Sequence, residues 1–297
     1  YEIETWNLSG TSRIWVRSGI ISGNSTVITA AWGKSTDSSS PSYVADKSAW
    51  SNGYHGAWHF QNLVGSALAD SSPKNHQGTA EGDGVSVTAG QVGQGVTLDG
   101  SDDLVNLGRS AGNPGSVFTV SFWAKMTAGA NINEGDRLFS NKSSNNGTAG
   151  WNLYKGSTST TRLYLKTSGS QARYKTAVNQ WNNGNWYHLA VAINGSTGAT
   201  IYANGSSLGT TDSVNLTVDS TEDLLLGDAP YSNTEWKGSF DEVRIATGLR
   251  SADWIKAVYD NQKSSPSLVS YGTVSGPRII TSPLSATATA GAPFTYS

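Results

Sequence analysis

Two short stretches decide the fold of this chain, Gly56-Ala-Trp-His-Phe60 and Gly238-Ser-Phe-Asp-Glu-Val-Arg-Ile245. The first leads into a Ser/Asn-rich stretch at 68–79, and the second leads into a helix-like stretch at 250–261. Between them lies an unbroken series of strand and turn signals. We therefore interpret the two stretches as the opening and closing strands of one β-domain.

Strand periodicity is clearest at residues 117–125, where side chains of different character alternate with a period of two. Phe118, Val120, Phe122 and Ala124 fall on one face, which we expect to point into the core. Farther along, Asn-Gly pairs at 194–195 and 204–205 separate apolar runs. Because both residues of such a pair tolerate positive φ, the pairs predict a three-stranded antiparallel meander.

Further strands and one helix complete the pattern. Ser251 is a suitable N-cap for a short helix over the following residues, and we expect that helix to lie against the edge of a sandwich. The order of elements predicts an all-β, antiparallel two-sheet sandwich with one short C-terminal helix. The remaining predicted strands are Arg13–Arg17 and Ser25–Trp32, joined by a turn at 23–24, and Arg137–Ser140, Gly150–Tyr154, Arg162–Lys166 and Asp223–Gly227.

Composition excludes several classes of protein. Of the 297 residues only 14% are charged and the net charge is −2, so nucleic acid is not expected as a partner. The chain has no cysteine, which rules out disulfides and thiolate metal sites. No apolar run approaches the length of a membrane span, so we expect no membrane insertion. The 34 glycines suit many short strands joined by tight turns.

Residues 54–263, bracketed by the two opening stretches, resemble a laminin-G-like (concanavalin A-like) β-sandwich domain. The resemblance implies a jelly-roll topology and a binding role whose usual ligands are glycans. Residues 1–33 resemble the C-terminal part of a β-module of unknown function that precedes such domains in large secreted bacterial proteins. Residues 34–53 and 264–276 are predicted linkers, and 277–297 look like the start of a bacterial immunoglobulin-like module.

The resemblance also implies a calcium site that ties the loop after the first strand to the strand near the C-terminus. The matching residues here are Asp70, Asn75 and His76 of that loop and Asp241 of the closing strand. Calcium prefers hard oxygen ligands, which carboxylates and backbone carbonyls supply. The alternative is that Asp70 and Asp241 cap loop N–H groups without any ion.

Catalysis is not predicted. Related sandwich glycanases place acids on one strand face in a Glu-X-Asp-X-X-Glu pattern, and that pattern is absent. Adjacent acids such as Asp241 and Glu242 point to opposite faces of a regular strand and cannot act together. We therefore expect a non-catalytic module.

Aromatic residues carry the sugar-binding hypothesis, since the chain has eleven Trp and twelve Tyr. Aromatic faces stack on sugar C–H groups while a few polar side chains fix the hydroxyls. The alternative for each aromatic is a structural role in the core. The candidate ligand-binding residues are Arg137, Trp151, Tyr154, Tyr164, Arg173, Trp181 and Tyr231.

The sequence thus favours a carbohydrate-binding, lectin-like module of a large secreted or cell-surface bacterial protein, with a polysaccharide or glycoconjugate as partner. Calcium is the cofactor that the resemblance suggests. One alternative is a structural or adhesive module that pairs with neighbouring β-modules and binds no small ligand. A polysaccharide-degrading enzyme is a further alternative.

Overall fold

The computed structural model describes most of the chain with interruptions. Residues 162–166 and 172–176 are described by their backbone. Outside the described residues lie positions 34–45 of the predicted linker at 34–53, Trp181, Tyr231 and the predicted module at 277–297. The described ranges are 1–7, 9–19, 26–30, 46–61, 63, 65–130, 135–144, 149–155, 162–166, 172–176, 184–211, 220–230, 234–267 and 269–270.

Strands dominate the described residues, and helices are short. The helical segments are a 3-10 helix at Ser48–Trp50, a helix at Gly108–Ala111 and the C-terminal helix at Ala252–Gln262. The strands are β1 Glu2–Thr5, β2 Arg13–Trp15, β3 Tyr54–Trp58, β4 Ala67–Leu68, β5 Gly78–Glu81, β6 Ser86–Ala89, β7 Gln94–Asp99, β8 Leu104–Asn106, β9 Val117–Met126, β10 Arg137–Ser140, β11 Asn152–Lys155, β12 Arg162–Lys166, β13 Ala172–Thr176, β14 Tyr187–Asn194, β15 Gly198–Ala203, β16 Ser206–Thr210, β17 Leu225–Leu226 and β18 Lys237–Thr247.

Two antiparallel sheets form the domain. The front sheet has the order β13-β12-β11-β10-β17-β8-β5-β4, and the back sheet has the order β16-β15-β14-β9-β18-β7-β6. β3 adds to the back sheet beside β18, so the stretches at 56–60 and 238–245 pair with each other, with Trp58 opposite Val243 and Gly56 opposite Ile245. The predicted all-β, two-sheet jelly-roll sandwich is confirmed.

Gly56 shows why the opening stretch has its sequence. A Cβ at this position would lie only 2.1 Å from Cη2 of the Trp58 ring, which occupies the space above the glycine. Trp58 is fully buried, and its Nε1 donates to the carbonyl of His76 at 2.9 Å. The glycine therefore lets one large aromatic side chain fill the core beside the closing strand.

The core lies between the sheets, and its alternation follows the sequence. Phe118, Val120, Phe122 and Ala124 of β9 all belong to the main buried cluster, as predicted. They pack with side chains of the front sheet such as Phe139, whose ring lies 4.9 Å from that of Phe122. Full burial of a large apolar side chain contributes roughly 1.5–3 kcal/mol, so these residues dominate the stability of the sandwich.

The C-terminal helix covers the outer face of the back sheet and does not lie at the sandwich edge, where the sequence placed it. Ile255 clusters with Ala190 and Tyr202, which project from the side of the sheet opposite the core. Trp123 Nε1 donates to Gln262 Oε1 at 2.6 Å. The helix lies there because the outer face of the central strands is itself apolar and needs cover.

The two Asn-Gly pairs behave differently. Asn204 and Gly205 have φ of 48° and 76° and form the predicted two-residue turn between β15 and β16. At the other pair, Asn194 still pairs in the ladder with Gly198, so the loop contains three residues. The three-stranded meander is confirmed, but its first turn lies one residue beyond the predicted position.

At the N-terminus β1 and β2 form a two-stranded hairpin. Arg13–Trp15 therefore pairs with Glu2–Thr5. Residues 26–30 are exposed and have no regular structure, which corrects the predicted second strand over that part.

Candidate functional site

The outer face of the front sheet carries the side chains that do not point into the core, and it is the candidate binding surface. Leu153, Phe139, Leu226 and Val105 point into the core from β11, β10, β17 and β8. Most of their neighbours along each strand point the other way, because successive side chains alternate between faces; Leu138, at the register shift in β10, also belongs to the core. The outward-facing neighbours include Tyr154. They also include a row of residues that are paired in turn across the strands: Asn152, Ser140, Leu225, Asn106 and Thr79.

One end of this face carries an aromatic row. Arg137 stands opposite Tyr154, and its guanidinium lies 4.6 Å from the centre of the tyrosine ring. The backbone register continues the row from Tyr154 to Tyr164 and from Tyr164 to Tyr174. Residues directly opposite one another lie on the same face of a sheet, so the backbone register places positions 164 and 174 in line with Arg137 and Tyr154 across four strands.

A cavity of about 340 Å³ opens beside β8 and β17. Asn106 is one of its lining residues, and its Nδ2 donates to Glu81 Oε1 at 3.2 Å and to Asp223 Oδ2 at 3.1 Å. This amide fixes two carboxylates as neighbouring acceptors. The lining residues are Glu81, Leu104, Asn106, Thr221, Glu222, Asp223, Leu225 and Pro230.

Asp228 sits close to the arginine of the row. Burial is the main cause that raises the pKa of Asp228, and the negative charge of Glu235 adds to it. The positive charge of Arg137 acts in the opposite direction. Arg137 is itself only 4% exposed, and its guanidinium donates to the carbonyl of Gly135. The arginine is thus held in place under the Tyr154 ring.

The predicted calcium ligands of the first loop have other partners. Asp70 is buried and accepts backbone N–H groups from Ala57 at 2.9 Å, Ser72 at 2.7 Å and His76 at 2.7 Å. Asn75 Oδ1 accepts from Lys47 Nζ at 2.6 Å. An oxygen that faces N–H donors or an ammonium is poorly placed for a cation, so these residues do not suit a calcium site.

Asp241 has a hydrogen-bond partner outside that loop. Its Oδ2 accepts the Val92 N–H at 2.7 Å. Like Asp70, this carboxylate satisfies a backbone donor of the fold. Among the described residues, two groups of acidic and histidine side chains have ligand atoms within 4.8 Å of one another: Glu4 with His59 and Glu242, and Asp83 with Asp99 and Asp102. Neither group contains Asp70 or Asp241. Calcium binding by these residues stays a prediction that their hydrogen bonds do not favour.

A buried charged cluster lies where the N-terminal hairpin meets β18. Glu242 has φ of 53° at a bulge in β18, which turns its side chain away from the alternation of the strand. Its Oε1 accepts from His59 Nδ1 at 2.8 Å, and its Oε2 accepts from Arg244. We call Glu2, Glu4, Arg13, His59, Asp241, Glu242 and Arg244 the junction cluster. Sequence reasoning missed it because the bulge breaks the period of two on which face assignments depend.

The predicted ligand-binding residues separate into three groups. Tyr154 and Arg137 are together on the outer face, and Tyr164 and Arg173 lie on adjacent strands of the same sheet, opposite Tyr174 and Leu165 respectively. Trp151 is wrong as a sugar platform, because it is 1% exposed and its Nε1 donates to the carbonyl of Gly112 at 3.1 Å in the core. Trp181 and Tyr231 lie outside the described residues. The cavity residues Glu81, Asn106 and Asp223 were not predicted, since only the fold brings them together.

Comparison with known proteins agrees with the fold. A family model described as the concanavalin A-like lectin/glucanases superfamily matches residues 99–256. No curated protein has significant sequence similarity to the chain. None of the helices in the described part of the chain has the length and apolarity needed to cross a membrane.

Several solved structures share the architecture at low sequence identity. Domain 4 of AbnA, a GH43 extracellular arabinanase from Geobacillus stearothermophilus, in complex with arabinotriose, has a TM-score of 0.52 at 20% identity, over 68% of this chain and 96% of that domain. The receptor binding domain of botulinum neurotoxin C/D mosaic serotype has a TM-score of 0.55 at 18% identity, over 71% of this chain and 51% of its own length. The binding domain of Paraclostridial Mosquitocidal Protein 1 has a TM-score of 0.54 at 15% identity, over 70% of this chain and 52% of that chain. This chain therefore spans about half of each toxin domain.

Proposed function

Because this chain belongs to the concanavalin A-like lectin/glucanases superfamily, we propose that it is a non-catalytic carbohydrate-binding module. The observation that carries the proposal is the outer-face row in which Arg137 lies under Tyr154 and the register continues to Tyr164 and Tyr174. Tyrosine offers an apolar face for sugar C–H groups and a hydroxyl for hydrogen bonding.

The length of the row favours a chain of sugars over a single one. Neighbouring strands lie about 4.8 Å apart, so four strands span roughly 14 Å from the first to the last member of the row. An extended ligand that crosses the strands would contact several tyrosines in turn. This matches a polysaccharide or the glycan of a glycoconjugate as the partner.

The cavity favours a neutral ligand. Glu81, Glu222 and Asp223 bring three carboxylates to its lining, and no cationic side chain lines it among the described residues. Fixed carboxylates accept hydrogen bonds from sugar hydroxyls and repel uronate or sulfate groups. We therefore expect neutral oligosaccharides to bind and polyanionic ones to be excluded. The arabinanase domain that contains arabinotriose supports an oligosaccharide of this kind as the first to try.

The cavity acids also suit binding better than hydrolysis. A glycosidase needs one carboxyl that donates a proton while the other acts as base or nucleophile. Glu81 and Asp223 instead both accept a hydrogen bond from the same Asn106 amide, so neither is set apart as the proton donor. We further propose that the module acts outside the cell, in a secreted or surface protein. The extracellular arabinanase and the toxin binding domains among its structural neighbours support that location.

An adhesive role is the second candidate, and one observation favours it. Tyr1, Ile3, Ile14 and Val16 of the N-terminal hairpin expose between 36% and 48% of their surface. Ile3 and Ile14 are directly paired, so the apolar side chains form a patch on one face. Such a patch is typical of a protein-binding surface.

Replacement of Tyr154 by alanine tests the proposed sugar site. Loss of one stacking ring removes about 1 kcal/mol of binding free energy, so affinity for a bound neutral oligosaccharide should fall about 5- to 10-fold. Isothermal titration calorimetry measures the change. Tyr1→Ala is the matched control, because Tyr1 is an exposed tyrosine on the hairpin, and it should bind like the unaltered protein. Equal binding by Tyr154→Ala would remove the row from the site.

A further inference from the structure

The junction cluster joins two segments that are distant in the chain. Glu2 of β1 accepts from Ser71 Oγ at 2.6 Å and from the Trp50 indole. Glu4 of the same strand accepts from Trp15 Nε1 at 2.7 Å. Glu4 Oε1 also lies against Gly93, in the turn between β6 and β7, so carboxylates of the hairpin contact the sandwich.

The two cationic groups at the centre of the cluster are already engaged. The Arg244 guanidinium lies 4.6 Å from the Trp15 ring and 4.7 Å from the Trp50 ring, and it donates to Glu242. His59 also donates to Glu242, and its ring stacks on Trp15 at 5.5 Å. Both cations therefore neutralise the same carboxylate and are fixed there by aromatic rings.

Two carboxyl oxygens of the cluster remain unpartnered in the described part of the chain, although ligand atoms of Glu4, His59 and Glu242 lie within 4.8 Å of one another. Glu4 Oε1 and Asp241 Oδ1 are buried, and neither has a hydrogen-bond partner among the described residues. Glu4 is 7% exposed and Asp241 is fully buried. The charged groups that face them are Glu2 and Arg13 from the hairpin, His59 from the segment after β3, and Glu242 and Arg244 from β18. A buried carboxylate in this position is costly when ionised and much less so when protonated.

We propose that the junction cluster is a proton-dependent latch that holds the N-terminal hairpin on the sandwich. With a proton on Glu4 and on Asp241, the carboxyl groups of β1 and β18 lie together without repulsion. When these protons pass to solvent, negative charges on both sides of the junction repel one another, and the hairpin separates from β18. The sandwich core keeps its own packing in both states.

The pKa values support this direction. Burial and then the charge of Glu242 raise the pKa of Glu4 from 4.5 to about 7. Burial and then the charge of Glu242 also raise the pKa of Asp241 well above its usual value. A carboxyl whose folded pKa is raised stabilises the docked state fully below its unfolded pKa and loses that contribution as pH rises through the folded pKa. Docking should therefore weaken between about pH 4.5 and about pH 7.

His59 and Glu242 also affect the pH range over which the hairpin stays docked. Burial opposes a charge on His59, but the adjacent Glu242 carboxylate raises the pKa of the imidazole, so its contribution is also lost as pH rises. Burial likewise opposes the charge of Glu242, but His59 and Arg244 lower its pKa. That contribution is lost only as pH falls below the usual glutamate range. The latch should thus be tightest in mildly acidic solution, near pH 4.5.

Amide hydrogen exchange at several pH values tests the latch on the full chain. Protection factors, which already correct for the intrinsic pH dependence of exchange, would be measured for β1 and β2, with β9 as internal reference. We expect protection of the hairpin to fall at least about tenfold between pH 5 and pH 8, with a much smaller change at β9. Protection of the hairpin that is equal at both pH values would overturn the proposal.

Variants separate the latch from a general loss of packing. Glu4→Gln cannot ionise, so it should flatten the pH profile of hairpin protection. Asp241→Asn makes the same test if Glu4→Gln fails to dock at any pH. The control Glu81→Gln removes an exposed carboxylate of the front sheet and should keep the original profile. A pH profile that persists in both Glu4→Gln and Asp241→Asn contradicts the latch, and so does full recovery of protection at pH 8 by added zinc or calcium, which would make the cluster a metal site.

Discussion

At the scale of single residues, Asp70 shows how one carboxylate can organise a loop. It accepts three backbone N–H groups and the Ser72 hydroxyl, so both of its oxygens are occupied. Asp70→Ala would leave these buried donors unpaired, and we expect a loss of about 2–4 kcal/mol in the free energy of unfolding. Urea denaturation measures this loss. A calcium-dependent rise in Tm that Asp70→Asn abolishes would contradict this assignment and restore the calcium interpretation.

His188 gives a second prediction at this scale. Burial and then the charge of Arg244 lower the pKa of His188 to about 3, while the unfolded residue titrates near 6.5. Between these values the unfolded chain binds the extra proton, so stability falls as pH falls. His188→Phe should reduce the loss of stability between about pH 7 and about pH 4 by up to roughly 3 kcal/mol. Urea titrations at both pH values test this, and an unchanged difference would show that His188 does not contribute.

At the scale of elements, the C-terminal helix depends on its cap. Ser251 Oγ accepts the Trp254 N–H at 3.1 Å, as its position in the sequence predicts. Ser251→Ala should cost about 1 kcal/mol and lower Tm by about 2–4 °C for a chain of this size. Calorimetry measures the shift, and Ser251→Thr, which keeps the hydroxyl, should recover most of it. A fall in Tm for Ser251→Thr equal to that for Ser251→Ala would mean that the hydroxyl is not the cause.

The sequence could predict the elements whose signals are local, such as a regular alternation of apolar residues, a turn pair or a helix cap. The faces of β9, the turn at Asn204 and the helix cap follow from local chemistry, which acts over a few neighbouring residues. The place of the helix could not be predicted, because the apolar outer face around Tyr202 exists only after the sheet has formed. The prediction that Trp151 binds sugar was wrong for the same reason, since its burial depends on which strands surround it.

At the scale of the whole molecule, the candidate site depends on strand order. Arg137 and Tyr154 could be proposed together because they lie on consecutive strands. Glu81 and Asp223 could not, since they are far apart in the sequence and meet only where Asn106 lies between them. Glu4 and Glu242 of the junction cluster are likewise joined only by the packing of the hairpin on β18.

The central claim is that the outer face of the front sheet binds neutral glycan chains. The most direct measurement is calorimetric titration of the unaltered protein with a panel of neutral oligosaccharides, including arabinan fragments, beside polygalacturonate as a polyanionic reference. We expect saturable binding to at least one neutral chain, about 5- to 10-fold weaker in Tyr154→Ala and unchanged in Tyr1→Ala. Absence of binding across the neutral panel, or binding to the polyanion that Tyr154→Ala leaves intact, would contradict the claim.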